Sequence, residues 1–128
     1  MTRSELMARV RSKDTGPELI VRRAVHAAGF RFRLYQKGLP GCPDLVFARM
    51  SVAVFVNGCF WHGHSCEDGT LPTSNAEYLK SKIGRNVARD KRSILALRRQ
   101  CWRVVVLWTC RLERGIRRLL ALLRARSV

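Results

Sequence analysis

The amino-acid sequence predicts an α/β fold, a mixed central sheet flanked by helices. Two apolar runs, Val52–Val56 and Val104–Trp108, have strand length and are rich in β-branched residues. Around them lie longer segments with helical spacing and helix-end signals. The resulting order is helix, helix, three strands, a loop, helix, strand, helix, which calls for a sheet covered on its faces. The 128 residues suit one domain, 1–128, with one core.

Taken in order, a short helix over about Ser4–Arg11 is expected first, in an N-terminal arm formed by residues 1–14. Thr15-Gly16-Pro17-Glu18 has the form of a capping box and opens a helix to about Ala28, ended by Gly29. Arg31–Tyr35 alternates basic and apolar residues, as a half-exposed strand does. Leu39-Pro40-Gly41-Cys42-Pro43 is a turn. Asp44–Ala48 and Val52–Val56 form two strands joined through Arg49-Met50-Ser51 in a hairpin. Residues Asn57–Ser74 hold Gly, Pro, His and Cys without periodicity, a loop long enough to need a function or an anchor. Asn75 caps a long helix to about Arg99, with Gly84 as a place for a bend. Arg103–Trp108 is apolar enough to be central in the sheet. A last helix covers about Leu112–Arg124.

Charge is the first functional clue. Lys and Arg number 25 against nine acids, a net charge of +16. Such a field attracts polyanions and relieves its own self-repulsion by binding them, so nucleic acid is the expected partner. The weaker alternative is a membrane surface, for which the last helix has the amphipathicity, with Arg114, Arg117, Arg118 and Arg124 around Leu112, Ile116, Leu119, Leu120 and Leu123. The same pattern fits a helix packed on a core, the commoner case. No apolar run is long enough to span a membrane, and Met1-Thr2-Arg3-Ser4-Glu5 has no apolar signal core, which points to the cytoplasm and the nucleoid.

Five cysteines, an odd number without signs of export, argue for metal binding over a disulfide framework. Cys59, His64 and Cys66 lie in the long loop, and such ligands suit Zn²⁺. A closed tetrahedron requires a fourth, and Cys110 at the end of the last strand is the best candidate. If the Val52–Val56 and Arg103–Trp108 strands are neighbours, their ends bring Cys59 and Cys110 together. A Cys₃His site is structural and would pin the loop. Cys42 and Cys101 read as ordinary buried thiols.

Among the acids, Asp44 stands apart. It follows Pro43 and opens Leu45-Val46-Phe47, so its carboxylate is held at the edge of a buried strand and suits a hard cation such as Mg²⁺. The alternative is a structural Asp closing a turn. His62 is flanked by expected zinc anchors and is not itself needed for zinc, which leaves an imidazole fixed in place for acid-base work. Phe60 and Trp61 are core plugs or wedges that enter a base stack; in a chain this basic, wedges are favoured.

The segment Cys59-Phe60-Trp61-His62-Gly63-His64-Ser65-Cys66 resembles the very short patch repair (DNA mismatch) endonucleases of the Vsr type. The likeness extends to Met7–Glu18, to Leu39–Phe47, to Lys82-Ile83-Gly84-Arg85-Asn86-Val87 with Arg89-Asp90, and to Trp102-Arg103-Val104 leading to Trp108 and Cys110. It implies a restriction-endonuclease-like fold with a structural zinc site. It also implies nicking of double-stranded DNA on the 5′ side of the T in a T·G mismatch, the product of 5-methylcytosine deamination. By position, Asp44 and the main-chain carbonyl of Val56 would bind catalytic Mg²⁺, and His62 would be the general base. Glu18 and Asp90 would support them, and Cys59, His64, Cys66 and Cys110 would hold Zn²⁺. Phe60, Trp61 and Met7 would insert into the DNA. Leu79, with Tyr78 beside it, stands where a third aromatic is expected, Asn57 where some members have His, and Thr109 where many have Glu. A monomer is expected, because an asymmetric mismatch needs no two-fold protein. The alternatives are a nickase of this fold with another specificity and a non-catalytic, zinc-stabilised DNA-binding module.

Overall fold

A computed structural model describes residues 16–59 and 76–127. The expected helix over Ser4–Arg11 and the caps at Thr15 and Asn75 lie outside these residues. The first described helix, α1 (Gly16–Ala27), carries Glu18 in its first turn, where the helix dipole favours an acid. Val21 and Val25, one turn apart, make its buried face. The helix closes before Gly29, whose φ of +90° lies in the left-handed region that glycine adopts without penalty.

β1 (Arg33–Leu34) is shorter than the predicted Arg31–Tyr35, because Tyr35 turns to φ +48° and leaves the extended conformation. β2 (Leu45–Phe47) is buried at all three positions. A single 3-10 turn, Ala48–Met50, joins it to β3 (Val52–Asn57), which completes the predicted hairpin. α2 (Ala76–Arg99) is one continuous helix through Gly84. It is followed by β4 (Arg103–Trp108), a 3-10 turn over Thr109–Arg111, and α3 (Leu112–Arg126).

The sheet order is β1-β2-β3-β4. β1 and β2 run antiparallel, as do β2 and β3, whereas β3 and β4 are parallel, with Val52 opposite Arg103 and Asn57 opposite Trp108. The sheet is therefore mixed, as expected. The placement of Arg103–Trp108 in the middle of the sheet is corrected: among the described residues β4 is an outer strand, and β3 has neighbours on both sides. Its apolar character has another cause. Both α2 and α3 pack against β4, so helices cover what flanking strands were expected to cover.

Leu45, Phe47, Val52, Val54 and Leu107 form one core with Val21 and Val25 of α1 and Ile116, Leu119 and Leu123 of α3. Each such side chain, fully buried, contributes roughly 1.5–3 kcal/mol. The apolar stripe of α3 is thus spent on the core, and the membrane-surface alternative loses its apolar face. Ile83 and Leu97 of α2 are buried outside this cluster.

Two glycines mark close approaches. A Cβ at Gly115 would lie 2.6 Å from Leu107 Cδ2, so α3 sits tightly on β4. Gly41 has φ +75°, and a Cβ there would lie 2.7 Å from the Ser93 Cβ of α2. Gly41→Ala combines an unfavourable backbone conformation with a clash, and is expected to lower stability by about 1–3 kcal/mol. Chemical denaturation of the purified variant checks this; an unchanged midpoint would show that the turn and α2 separate freely.

Candidate active site

Pro43 shapes the site before any ionisable group is considered. The β2–β3 register pairs Leu45 with Val54, and its continuation sets Pro43 opposite Val56. Peptide groups alternate between neighbours along a strand, so Val56 faces β2 just as Val54 does. Proline has no N–H to give to the Val56 carbonyl. The Val56 N–H itself goes to a side chain: it donates to Asp44 Oδ2 at 2.7 Å. A carboxylate and a main-chain carbonyl oxygen thus stand together where the ladder ends. Asp44 is also fixed on its other side, since its carbonyl accepts the Tyr35 N–H at 3.3 Å.

Burial is the largest influence on the Asp44 carboxyl and raises its pKa from 3.8 to about 6. The Val56 N–H opposes the rise, Glu18 adds to it by like charge, and Arg22 opposes it. Glu18, only 3% exposed on α1, is held by two groups. The Tyr35 hydroxyl donates to its Oε2 at 2.7 Å, and the Arg22 guanidinium lies 3.4 Å from the same oxygen. Arg22 also donates to the Tyr35 hydroxyl and lies 5.4 Å over its ring. Two acids beside a basic side chain form an oxygen-rich corner that lacks positive charge of its own valence. A hard divalent cation, coordinated by carboxylate and carbonyl oxygens, fits this donor set.

The structure thereby brings together Asp44, Val56 and Glu18. Asp90 lies on α2, half-buried beside Arg89, and is one turn before Ser93, which packs on Gly41. Leu79 lies in the first turns of α2 and is half-buried, whereas the neighbouring Tyr78 is 64% exposed and presents its ring to solvent. Met7, Phe60, Trp61, His62, His64 and Cys66 lie outside the described residues. Of the four expected zinc ligands, Cys59 follows β3 and Cys110 follows β4. The parallel register that pairs Asn57 with Trp108 sets these two cysteines level at adjacent strand ends. Cys59 is buried with its Sγ 3.4 Å from Thr109 Oγ1, and Cys110 is at the surface. Among the described residues no three metal-ligating side chains meet. Cys42 and Cys101 are not the buried thiols expected. Cys101 is exposed and Cys42 half-buried, and both take left-handed backbone conformations in turns.

Sequence reasoning missed Tyr35 and Arg22. Arg22 had a signal, the four-residue spacing from Glu18 on one helix face. Tyr35 had none, because its reach to Glu18 depends on how β1 passes α1.

Comparisons with known proteins identify the family. The family described as DNA mismatch endonuclease Vsr matches residues 1–68. The chain is 52% identical over 111 residues to the type II nicking enzyme V.XorIIP of Xanthomonas oryzae pv. oryzae, covering 87% of this chain and 82% of that one. It is 40% identical over 111 residues to the type II nicking enzyme V.NmeAIP of Neisseria meningitidis, covering 87% and 79%. It is 38% identical over 112 residues to the DNA mismatch endonuclease Vsr of Escherichia coli, covering 88% and 72%. The protein is therefore an enzyme, a DNA endonuclease that hydrolyses a phosphodiester bond. The chain belongs to the family of the DNA mismatch endonuclease Vsr. Membership implies a divalent metal ion and excludes the reading as a non-catalytic binding module. No described helix is long and apolar enough to cross a membrane.

The raised Asp44 pKa has a consequence for stability. Without metal, the folded state keeps the proton up to about pH 6, while the unfolded chain releases it near 3.8. Between these values the folded state binds more protons, so this group makes the protein less stable as pH rises through that window. Asp44→Asn keeps an oxygen for the Val56 N–H and removes the buried charge. It is expected to stabilise the metal-free protein at pH 7 by about 1–2 kcal/mol, the full shift being discounted for partial exposure. Denaturation at pH 4.5 and pH 7 measures this, and parallel pH dependence of the two proteins would refute it.

Proposed function

We propose that the enzyme nicks double-stranded DNA on the 5′ side of the T in a T·G mismatch, with Mg²⁺ as its catalytic metal and Zn²⁺ as a structural one. The observation that carries this reading is the Asp44–Val56 corner, where a fixed carboxylate meets a carbonyl oxygen that Pro43 leaves without a strand donor. Asp44 and the Val56 carbonyl would hold Mg²⁺. Bound there, the ion would supply positive charge to the scissile phosphate and the leaving oxygen. Glu18, kept in place by Tyr35 and Arg22, adds negative charge beside Asp44, and this charge attracts a divalent cation more strongly than a monovalent one.

His62 takes the proton from the attacking water in this reading. It follows Cys59 by three residues, and Cys59 is anchored by burial at the end of β3. Cys59, His64, Cys66 and Cys110 would hold Zn²⁺. The support is the level placement of Cys59 and Cys110 on parallel neighbouring strands, which sets two thiols where the long loop departs and where β4 ends. Asp90 supports the site from α2. Phe60, Trp61 and Met7 enter the DNA at the mismatch, with Leu79 alongside and the exposed Tyr78 offering a ring. A mispaired step is weakly stacked, so separating it costs less than in paired duplex. One chain suffices for an asymmetric lesion, in keeping with a monomer that acts in the cytoplasm on the nucleoid. Support for the substrate comes from a relative named for mismatch cleavage.

Purified protein, Mg²⁺ and two duplexes, one with a T·G mismatch and one fully paired, decide the substrate. The mismatched strand is expected to be nicked at least about tenfold faster, a difference of roughly 1.4 kcal/mol. Equal rates would leave a nickase of another specificity. Metal analysis of Cys110→Ser decides the zinc site: the variant is expected to lose tightly held zinc, and a full equivalent retained would remove Cys110 from it.

A further inference from the structure

The starting strand-end of β4 carries a feature that the catalytic corner does not use. Arg98 from the last turn of α2, Arg103 at the head of β4 and Arg126 from the last turn of α3 line one cavity of about 470 Å³, together with Cys101, Trp102 and Val104. That size falls within the range of about 300–1,000 Å³ common for small-ligand sites. The junction of α2 with β4 and the distant end of α3 thus converge on one opening. Val56 pairs with Leu107, four residues further along β4 than Arg103. At about 3.3 Å per residue the separation is roughly 13 Å, too far for one phosphate to touch both places.

The cavity holds cations without matching anions. The ion pairs among the described residues join Arg22 to Glu18, Arg89 to Asp90 and Arg117 to Glu113, and none involves Arg98, Arg103 or Arg126. The C-terminal dipoles of α2 and α3 offset only about half a charge each, and Arg103 has no such aid. Arg126 is also fixed in place. Its Nε donates to the Met50 carbonyl at 2.6 Å, which leaves the four N–H groups of its terminal nitrogens for a ligand. Planar guanidiniums suit phosphate oxygens, and the half-buried Trp102 adds a flat ring suited to a base.

We propose that this cavity is a second nucleotide-phosphate site, in which Arg98, Arg103 and Arg126 hold the phosphate and Trp102 receives the base. Such a ligand has two sources, a free nucleotide and a single-stranded segment of DNA. The test is calorimetric titration of the full-length protein, without added Mg²⁺, with thymidine 5′-diphosphate and with a 5′-phosphorylated thymidine tetranucleotide. At least one probe is expected to bind with one-to-one stoichiometry; preference for the first identifies a free nucleotide, and preference for the second a DNA strand. Arg98→Gln combined with Arg103→Gln, both at exposed positions, is expected to weaken binding about tenfold or more while duplex nicking stays within about twofold. Arg114→Gln combined with Arg118→Gln removes the same charge from exposed positions on α3 and is expected to leave the affinity unchanged. Failure of both probes to bind at millimolar concentration overturns the proposal. So does an equal loss in the two double variants, which would reduce the effect to the general positive field.

Discussion

The hydrogen bond from the Val56 N–H to the Asp44 carboxylate holds two strand ends at a fixed spacing. Beside it, Pro43 stands where the next ladder residue would and has no N–H to give to the Val56 carbonyl. A regular residue at that place would extend β2 and occupy the Val56 carbonyl. The interruption instead leaves a carboxylate and a carbonyl side by side on rigid backbone. Proposed catalytic groups placed on strands in this manner keep their geometry better than groups placed on a loop.

The neighbourhood of that bond shows how an acidic corner persists in a chain of net charge +16. Asp44 and Glu18 are withdrawn from solvent, and the rest of the basic surface is screened from them by water. Among the described residues Arg22 reaches in, and it is shared with Tyr35 and Glu18. One fixed positive charge between two acids leaves a net deficit. The basic exterior draws in the polyanion, while the interior corner suits a small cation. These two electrostatic tasks are separated by burial.

Much of this was legible in the sequence, and the parts that were not share a cause. Asp44 was visible because a proline precedes it and an apolar run follows it. The level placement of Cys59 and Cys110 was legible only on the condition that β3 and β4 are neighbours, which the parallel register meets. The outer position of β4 was not legible, since a valine-rich strand reads the same whether strands or helices cover it. The roles of Tyr35 and of the Arg98, Arg103 and Arg126 cluster were equally hidden. Tyr35 meets Glu18, and Arg126 meets the neighbouring Arg98 and Arg103, only after folding, at separations that no local pattern records.

The order of synthesis gives the parallel β3–β4 pairing a further meaning. Asp44 and Val56 leave the ribosome early, within the first half of the chain, but β3 then has a neighbour on one side only. Its second neighbour, and the α3 face that closes the core beneath it, come from the last quarter of the sequence. A nascent chain that has exposed Asp44 and Val56 therefore still lacks β4 and α3, which complete the packing around β3. For a chain whose charge draws it to DNA, the support of the corner thus rests on packing between elements distant in sequence.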